Sequence, residues 1–192
     1  QKANKEVKVK ETVTRQTPFS PDSEEEKVAM EKVRKPMILF MALCIRRPEL
    51  IKTLFELSSA DKADVLSKTV KQNMSKLARA VGTKHGASEI ALMVAEATSE
   101  AATPLLLSFL DTLAAVGEKN IVSQDFIDAC YKIQEIKSEG GHKNPRFLIP
   151  VVFAIKRDDL VSKLPEFLGA DSDVFMAALT KIDRKSTRLN SS

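Results

Sequence analysis

Apolar residues recur along this chain at the spacing of amphipathic helices. The clearest stripe lies between 61 and 81, just before Gly82, and consists of Leu66, Val70, Met74, Leu77 and Val81. An apolar residue at every third or fourth position forms one face of a helix, and glycine is typical just past a helix end. Similar stripes that begin near 50, 90, 104 and 123 predict further helices, the last of them capped by Ser123.

The segment before these stripes is less regular. An acidic start at 24–26 suits the positive end of a helix, and Pro36 should end or kink that helix. From Met37 to Arg47 the chain is apolar almost all round, which predicts a fully buried helix. A buried strand is the alternative, although eleven residues is long for one.

The stretch from Asn144 to Ile182 predicts three consecutive short helices. Asn144 can cap the first helix, with Pro145 in its first turn. The second has a stripe that ends at Gly169, in a conformation that suits glycine, and the third begins after Asp171. The second stripe is Leu160, Val161, Leu164, Phe167 and Leu168, and the third is Val174, Phe175, Ala178, Leu179 and Ile182. Short helices with wide apolar stripes need neighbours to cover them.

Three sequence blocks in this chain resemble the symplekin family. Arg146–Val151 reads RFLIPV, Leu164–Leu168 reads LPEFL, and Phe40–Leu54 reads FMALCIRRPELIKTL. Their order and rough spacing are similar to those in the C-terminal region of that family, over about residues 36–182. The resemblance implies a non-enzymatic scaffold in the nuclear machinery that cleaves and polyadenylates pre-mRNA. It also implies two protein partners, which are the endonuclease subunit of the cleavage and polyadenylation specificity factor and its inactive homologue.

The resemblance and the helix pattern together indicate the architecture. We expect an all-α fold of about nine or ten helices in HEAT-like antiparallel hairpins, which form an α-solenoid. No sequence period is visible, so a compact helical bundle is the competing architecture. Another helical-repeat adaptor is the alternative function of the same class.

Composition and cysteine use agree with a helical intracellular domain. The chain has 192 residues, 43% of them hydrophobic and only 5% aromatic, which is enough for one domain with a core. Cys44 and Cys130 each fall on a predicted apolar face, so we expect two buried free thiols. The longest apolar run has nine residues, from Met37 to Ile45, and is too short to cross a bilayer. We therefore expect no membrane contact.

Positive charge is concentrated at the ends of the chain. Residues 1–15 carry a net charge of +3 and residues 183–192 a net charge of +2, which leaves −1 for residues 16–182 of a chain whose total is +4. A nucleic-acid surface needs clustered basic residues. We therefore expect any contact with RNA to be indirect, or to go through the basic N-terminal tail.

The two ends differ from the rest of the chain. Residues 1–23 are polar and predict a linker, in which Thr17 and Ser20 each precede proline and are candidate phosphorylation sites, with plain linker proline as the alternative. Residues 183–192 read DRKSTRLNSS, which resembles a translated sequencing adapter. We expect residues 24–182 to form the domain, as part of a longer native protein.

Catalytic and metal-binding motifs are missing from the sequence. His85 and His142 fall in predicted loops beside glycine and have no partner motif for nucleophilic catalysis, so we expect both to be solvent-exposed. Two histidines and two separated cysteines do not have the spacing of a zinc site. Asp158 and Asp159 suit a helix start rather than an acid–base pair. The sequence therefore predicts no enzyme, no cofactor and no metal.

Five basic residues are the candidate protein-binding positions. Arg46 with Arg47, and Lys156 with Arg157, each follow an apolar helix and precede another, so stacked hairpins would bring both pairs to one edge. Such an edge would attract acidic segments of a partner. The alternative is that these cations only stabilise helix C-termini. Arg146 lies in the block that resembles the symplekin family and is expected to pair with an acidic residue of an adjacent helix.

Overall fold

Helices make up most of the part of the chain that the structure describes. A computed structural model describes residues 24–59, 65–116, 121–138 and 143–189, and within these ranges it contains no strand. The α-helices are α1 (Glu24–Arg46), α2 (Ile51–Ser59), α3 (Val65–His85), α4 (Ala87–Ala97), α5 (Thr103–Ala114), α6 (Gln124–Ile136), α7 (Arg157–Leu168) and α8 (Ser172–Leu189). Three 3-10 segments accompany them, at Pro48–Leu50, Glu100–Ala102 and Pro145–Val151. The predicted all-α class is confirmed.

The helices pack in two rows, in which each element contacts the one two places further along the chain. One row consists of α1, α3, α5, the segment Pro145–Val151 and α8, and in the second row α2 packs on α4 and α4 on α6. Consecutive elements join the rows, as α3 does with α2 and α4, and α7 with α8. This alternation is compatible with the predicted solenoid of helical hairpins.

The centre of the core lies between the rows, where large apolar side chains are fully enclosed. Phe55 of α2 and Phe109 of α5 meet edge to face, with ring centroids 5.6 Å apart and planes at 88°. Such a pair stabilises the fold by about 0.5–1.5 kcal/mol beyond its buried area. The stripes predicted for α5 and α6 are buried, as are Val70, Met74, Leu77 and Val81 of the stripe predicted for α3. Ser123 caps α6 by accepting a hydrogen bond from the Phe126 amide.

Gly82 and Gly86 have different roles, whereas the sequence pattern predicts a helix end at Gly82 alone. Gly82 was expected to end α3, but the helix continues to His85, and Gly86 follows with a φ of +89°. Gly82 instead lets α3 approach α5, because a Cβ there would lie 2.6 Å from Leu113 Cδ2. The missing side chain therefore serves helix packing, and the positive φ that favours glycine occurs at Gly86.

The prediction for the start of the domain is wrong in part. Pro36 does not end α1, which runs through it, and Pro36 is exposed. The segment from Met37 to Arg47 is not buried all round. Met37, Met41 and Cys44 face the core, whereas Ile38, Leu39 and Leu43 are 50%, 66% and 48% exposed. The reason is that α1 stands at the end of its row and packs mainly on α3.

The last three predicted helices also differ from expectation. The first is the 3-10 segment Pro145–Val151, and Asn144 caps it by accepting a hydrogen bond from the Arg146 amide at 3.1 Å. In α7 only Phe167 of the predicted stripe is buried, and Val161, Leu164 and Leu168 are exposed. Gly169 follows α7 as predicted, but with a right-handed φ of −81° that any residue adopts. At α8 only Val174 and Ala178 of the predicted stripe are buried.

No helix in the described ranges is long and apolar enough to cross a membrane.

Both cysteines are buried free thiols, as expected. Burial raises the pKa of Cys44 to about 11 and that of Cys130 to about 12. Both side chains therefore remain protonated at neutral pH, and they act as small apolar core residues.

Candidate interaction surfaces

The first predicted basic pair lies where α1 and α3 end together. Arg46 is the last residue of α1 and Arg47 follows it, and both are exposed. The carbonyl of Ile45 accepts hydrogen bonds from Lys84 Nζ at 3.1 Å and from His85 Nε2 at 2.8 Å. Three cationic side chains, those of Arg46, Arg47 and Lys84, therefore gather around one helix C-terminus, where positive charge is favoured.

His85 is not the exposed loop histidine that the sequence predicted. It occupies the last turn of α3 and is partly buried. Because a carbonyl oxygen only accepts, the Nε2 of His85 must donate to Ile45. Its role in the fold is to fasten the end of α1 to α3. His142 lies outside the described residues, as do Thr17 and Ser20.

The second basic pair begins a helix rather than ending one. Lys156 precedes α7 and Arg157 is its first residue, and both are exposed. Asp158 and Asp159 stand in the same first turn, where negative charge offsets the helix dipole. In the described part of the molecule α7 packs on α8, and α1 packs on α3. The edge that the two basic pairs were expected to share therefore stays a prediction.

Arg146 pairs with an acidic residue of an adjacent helix, as expected. Its guanidinium donates to Asp171 Oδ2 at 2.6 Å, just before α8 begins. Asp171 also accepts the amides of Val174 and Phe175 through its carbonyl oxygen. This ion pair ties the segment Pro145–Val151 to the start of α8.

A groove of about 790 Å³ opens beside this ion pair. Its walls come from the start of α5, the end of α6, the segment around Arg146, the end of α7 and the start of α8. The lining residues with charged side chains are Glu100, Lys137, Lys143, Arg146, Glu166 and Asp171. Equal numbers of acids and bases give a mixed polar surface that suits a peptide better than a strongly charged ligand.

A polar network fixes α7 against α6 at one side of the groove. Glu166 accepts from Gln134 Nε2 at 2.8 Å and from Lys163 Nζ at 2.7 Å, and Lys163 also lies 5.8 Å from the centre of the Tyr131 ring. Burial acts to raise the pKa of Glu166, but the hydrogen bonds from Lys163 and Gln134 outweigh it, and the pKa falls below its ordinary value. Glu166 is therefore charged at neutral pH, and it satisfies Gln134, which is only 1% exposed.

Lys137 forms another part of the groove wall. Its ammonium group donates to the carbonyl of Thr98, just past the end of α4. Burial lowers the pKa of Lys137. A half-buried cation that caps a helix C-terminus strengthens the joint between α4 and α6.

Several large apolar side chains are exposed on α7 and α8. Val161, Leu164 and Leu168 lie on one side of α7 and are 56%, 38% and 66% exposed. Met176 and Leu179 of α8 are 58% and 42% exposed. We call these five residues the C-terminal apolar row. Exposed apolar residues in such density mark an interaction surface more often than isolated ones do.

Comparison of the chain with protein-family models, with curated proteins and with solved structures finds no match. The resemblance to the symplekin family therefore rests on the three sequence blocks alone. In the structure Phe147, Leu148 and Val151 of the first block are buried, so this block describes core packing. Groups of histidine, cysteine or carboxylate that could hold a metal ion are absent from the described residues.

Sequence reasoning missed two features of these surfaces. The first is the groove, because Glu100, Lys137 and Glu166 come from different elements of the fold and no local pattern connects them. The second is a separation of charge between helices, which the summed charge of residues 16–182 does not show. A count made helix by helix would have found it, because α3 contains five Lys or Arg residues and no Asp or Glu.

Proposed function

We propose that this chain is a non-enzymatic scaffold domain of the symplekin type, which acts in nuclear mRNA 3′-end processing. It binds the endonuclease subunit of the cleavage and polyadenylation specificity factor and the inactive homologue of that subunit. Its mechanism is recruitment, because a scaffold that holds two factors together raises their effective concentration without chemistry of its own.

The observation that carries the binding role is the exposure of the C-terminal apolar row on α7 and α8. Helix α7 is held by the buried Phe167 and by the Glu166 network, so Val161, Leu164 and Leu168 are free to contact a partner. Apolar side chains at a spacing of three and four residues match the contact stripe of a second helix. The mixed charges of the groove then supply the polar rim that protein interfaces have.

The family and partners are supported by the sequence blocks, and the two-row packing of helices is compatible with them. Arg146, in the block RFLIPV, holds Asp171 at the edge of the groove. Arg146 and Phe147 of this block line the groove, and Leu164 and Leu168 of the C-terminal apolar row belong to the block LPEFL.

The test is co-expression of the full chain with the C-terminal domains of the endonuclease and its inactive homologue, followed by size-exclusion chromatography. We expect co-elution, and we expect Leu168→Gln to weaken it by at least about tenfold in affinity, as loss of a central interface leucine does. Leu39→Gln on α1 is the matched control, because Leu39 and Leu168 are each 66% exposed.

Two outcomes would contradict different parts of the proposal, namely the assigned partners and the location of the interface. Separate elution of a folded chain from both subunits contradicts the assigned partners. Co-elution that Leu39→Gln weakens and Leu168→Gln leaves intact would move the interface to α1 and contradict the role of the C-terminal apolar row.

A further inference from the structure

The C-terminal half of α1 carries exposed apolar side chains on its outer face. Ile38, Leu39 and Leu43 are 50%, 66% and 48% exposed. At about 3.6 residues per turn, Leu39 lies opposite the buried side that Met37 and Met41 form. Because α1 stands at the end of its row and packs mainly on α3, this outer face stays open in the part of the chain that the structure describes.

Charge is divided along α1. All four of its acidic residues precede Lys32, and residues 24–31, with four Glu and one Lys, carry a net −3. Residues 32–47 contain five basic residues and no acid, a net +5, and this stretch lies between Glu31 and Glu49. Arg34 lies 3.5 Å from Glu31. The five basic residues, all of them exposed, are Lys32, Arg34, Lys35, Arg46 and Arg47.

These cations stand at both ends of the exposed apolar side chains. Lys35 and Arg46 lie on the same side of α1 as Leu39, about one turn before it and about two turns after it. They are about 16 Å apart along the helix axis, at a rise of about 1.5 Å per residue. Lys84 of α3 adds a cation at the second end, where its Nζ donates to the carbonyl of Ile45. The outer face of α1 is therefore apolar in the middle and basic at both ends.

We propose that this outer face docks an acidic amphipathic helix of a protein partner. The apolar stripe of the partner helix covers Ile38, Leu39 and Leu43, and carboxylates before and after that stripe meet the cations of α1. The bound helix takes the place beside α1 that is opposite α3, and so extends the row by one helix. The proposal does not rest on the function proposed above, because the C-terminal apolar row lies on α7 and α8.

The charges of this face argue against other occupants. Antiparallel pairing with a second copy, with Leu39 against Leu43, would place Lys35 of each copy beside Arg46 and Arg47 of the other, and like charges repel. The N-terminal tail of the chain has the same sign, with +3 in residues 1–15. A helix that enters a lipid surface uses a wider apolar face than three side chains.

The test uses three labelled helical peptides of about 14 residues, which is the length of the basic and apolar stretch of α1. Each peptide has leucine at a spacing of three and four residues, and its flanking positions are all Glu, all Gln or all Lys. Fluorescence anisotropy measures their affinity for the full chain. We expect the Glu peptide to bind at least about tenfold more tightly than the Gln peptide at low salt, and the Lys peptide to bind most weakly.

The first variant removes an apolar contact. Leu39→Gln should lower the affinity for the Glu peptide by about tenfold or more. Leu168→Gln is the matched control, because Leu39 and Leu168 are each 66% exposed. In the co-elution test above the two variants have the opposite roles, so failure of one proposal is distinguishable from failure of the other.

The second variant reverses the charges at both ends of the face. Lys35→Glu/Arg46→Glu should reverse the order of the peptides, so that the Lys peptide binds more tightly than the Glu peptide. Lys132→Glu/Lys156→Glu carries the same change of charge outside α1 and should keep the original order. Far-ultraviolet circular dichroism checks the fold, and Lys35→Gln/Arg46→Gln, which should abolish the preference for the Glu peptide, repeats the test without introducing acids.

The contradicting outcomes identify what else the face could bind. Equal affinity of the three peptides, or a Glu peptide whose binding Leu39→Gln leaves intact, contradicts the proposal. Self-association of the chain alone, measured by sedimentation velocity and abolished by Leu39→Gln, would assign the face to a second copy. Binding to vesicles of phosphatidylcholine and phosphatidylserine that Leu39→Gln abolishes, without binding of the Glu peptide, would assign it to a lipid surface.

Discussion

The two ends of the domain are built alike but expose different chemistry. At the N-terminal end α1 buries Met37, Met41 and Cys44 on α3, and at the C-terminal end α7 buries Phe167. Each end helix leaves a leucine exposed to the same extent, Leu39 and Leu168 at 66%. The charges around them differ, because residues 31–47 carry a net +4 and residues 157–182 a net −2.

This difference shows that an exposed apolar residue does not by itself define a partner. The groove next to the end of α7 has equal numbers of acidic and basic side chains, which suits a peptide. Leu39 lies in a segment with more Lys and Arg than acidic residues. Two leucines of equal exposure therefore have different electrostatic surroundings.

The largest expected change in stability comes from removing a buried side chain that packs an end helix on the core. Phe167→Ala should lower the free energy of unfolding by about 3–5 kcal/mol, and Met41→Ala by about 2–5 kcal/mol, because each leaves a cavity in the core. Chemical denaturation followed by circular dichroism measures both. Leu168→Ala is the control for α7, with a change within about 0.5 kcal/mol. Equal losses of stability for Phe167→Ala and Leu168→Ala would contradict the burial of Phe167 and the exposure of Leu168.

The stability of the domain is expected to depend on the close packing of α3 on α5 at Gly82. Gly82→Ala should destabilise the domain by about 1–3 kcal/mol, because the added Cβ would press on Leu113. The higher helix propensity of alanine offsets about 1 kcal/mol of this. Thr83→Ala, on the exposed side of the same helix, is the control. A more stable Gly82→Ala protein would show that α3 and α5 are not closely packed there.

The network at the groove is expected to make stability depend on pH. The folded-state pKa of Glu166 is depressed below that of the unfolded chain, so its contribution is present above the unfolded-state pKa and is lost as pH falls through the folded-state value. Glu166→Gln should cost about 1 kcal/mol at neutral pH and reduce the loss of stability in acid. Urea denaturation at several pH values measures this, with Glu135→Gln as the exposed control. An identical acid dependence in both variants would contradict the network.

The smallest expected effect is at the ion pair between Arg146 and Asp171, which is largely exposed. Arg146→Gln should lower stability by about 0.2–1 kcal/mol, and less at high salt, because surface ion pairs are screened. Thermal unfolding at low and high salt measures this difference. A loss that stays constant between the two salt concentrations would mean that Arg146 acts through packing rather than through charge.

Much of the helix pattern could be predicted from the sequence, because amphipathic stripes and caps are local. The stripe of α6 and its cap at Ser123 are examples, since both depend on residues within one helix. The class of fold follows from such local signals, together with short connections. The position of Arg146 opposite an acid was also expected, and it is confirmed.

The predictions of burial that failed concern helices with few neighbouring helices. The stripe of α7 and the apolar segment of α1 predict burial, but each helix lies at an end of the packing, so much of the apolar surface stays exposed. His85 was assigned to a loop because Gly82 was expected to end α3. The groove could not be predicted, because its walls come from residues far apart in the chain.

The reaction rates of the two buried thiols can be used to compare how often the two ends of the domain open. Cys44 lies between α1 and α3, and Cys130 lies on the inner side of α6, and both are 0% exposed. A thiol reacts with an alkylating reagent only when it meets water and ionises, so each rate reports how often its cover opens. The ratio of the rates in one sample therefore ranks the local stability of the two halves, and a ligand that covers one half slows the reaction of the thiol beneath it.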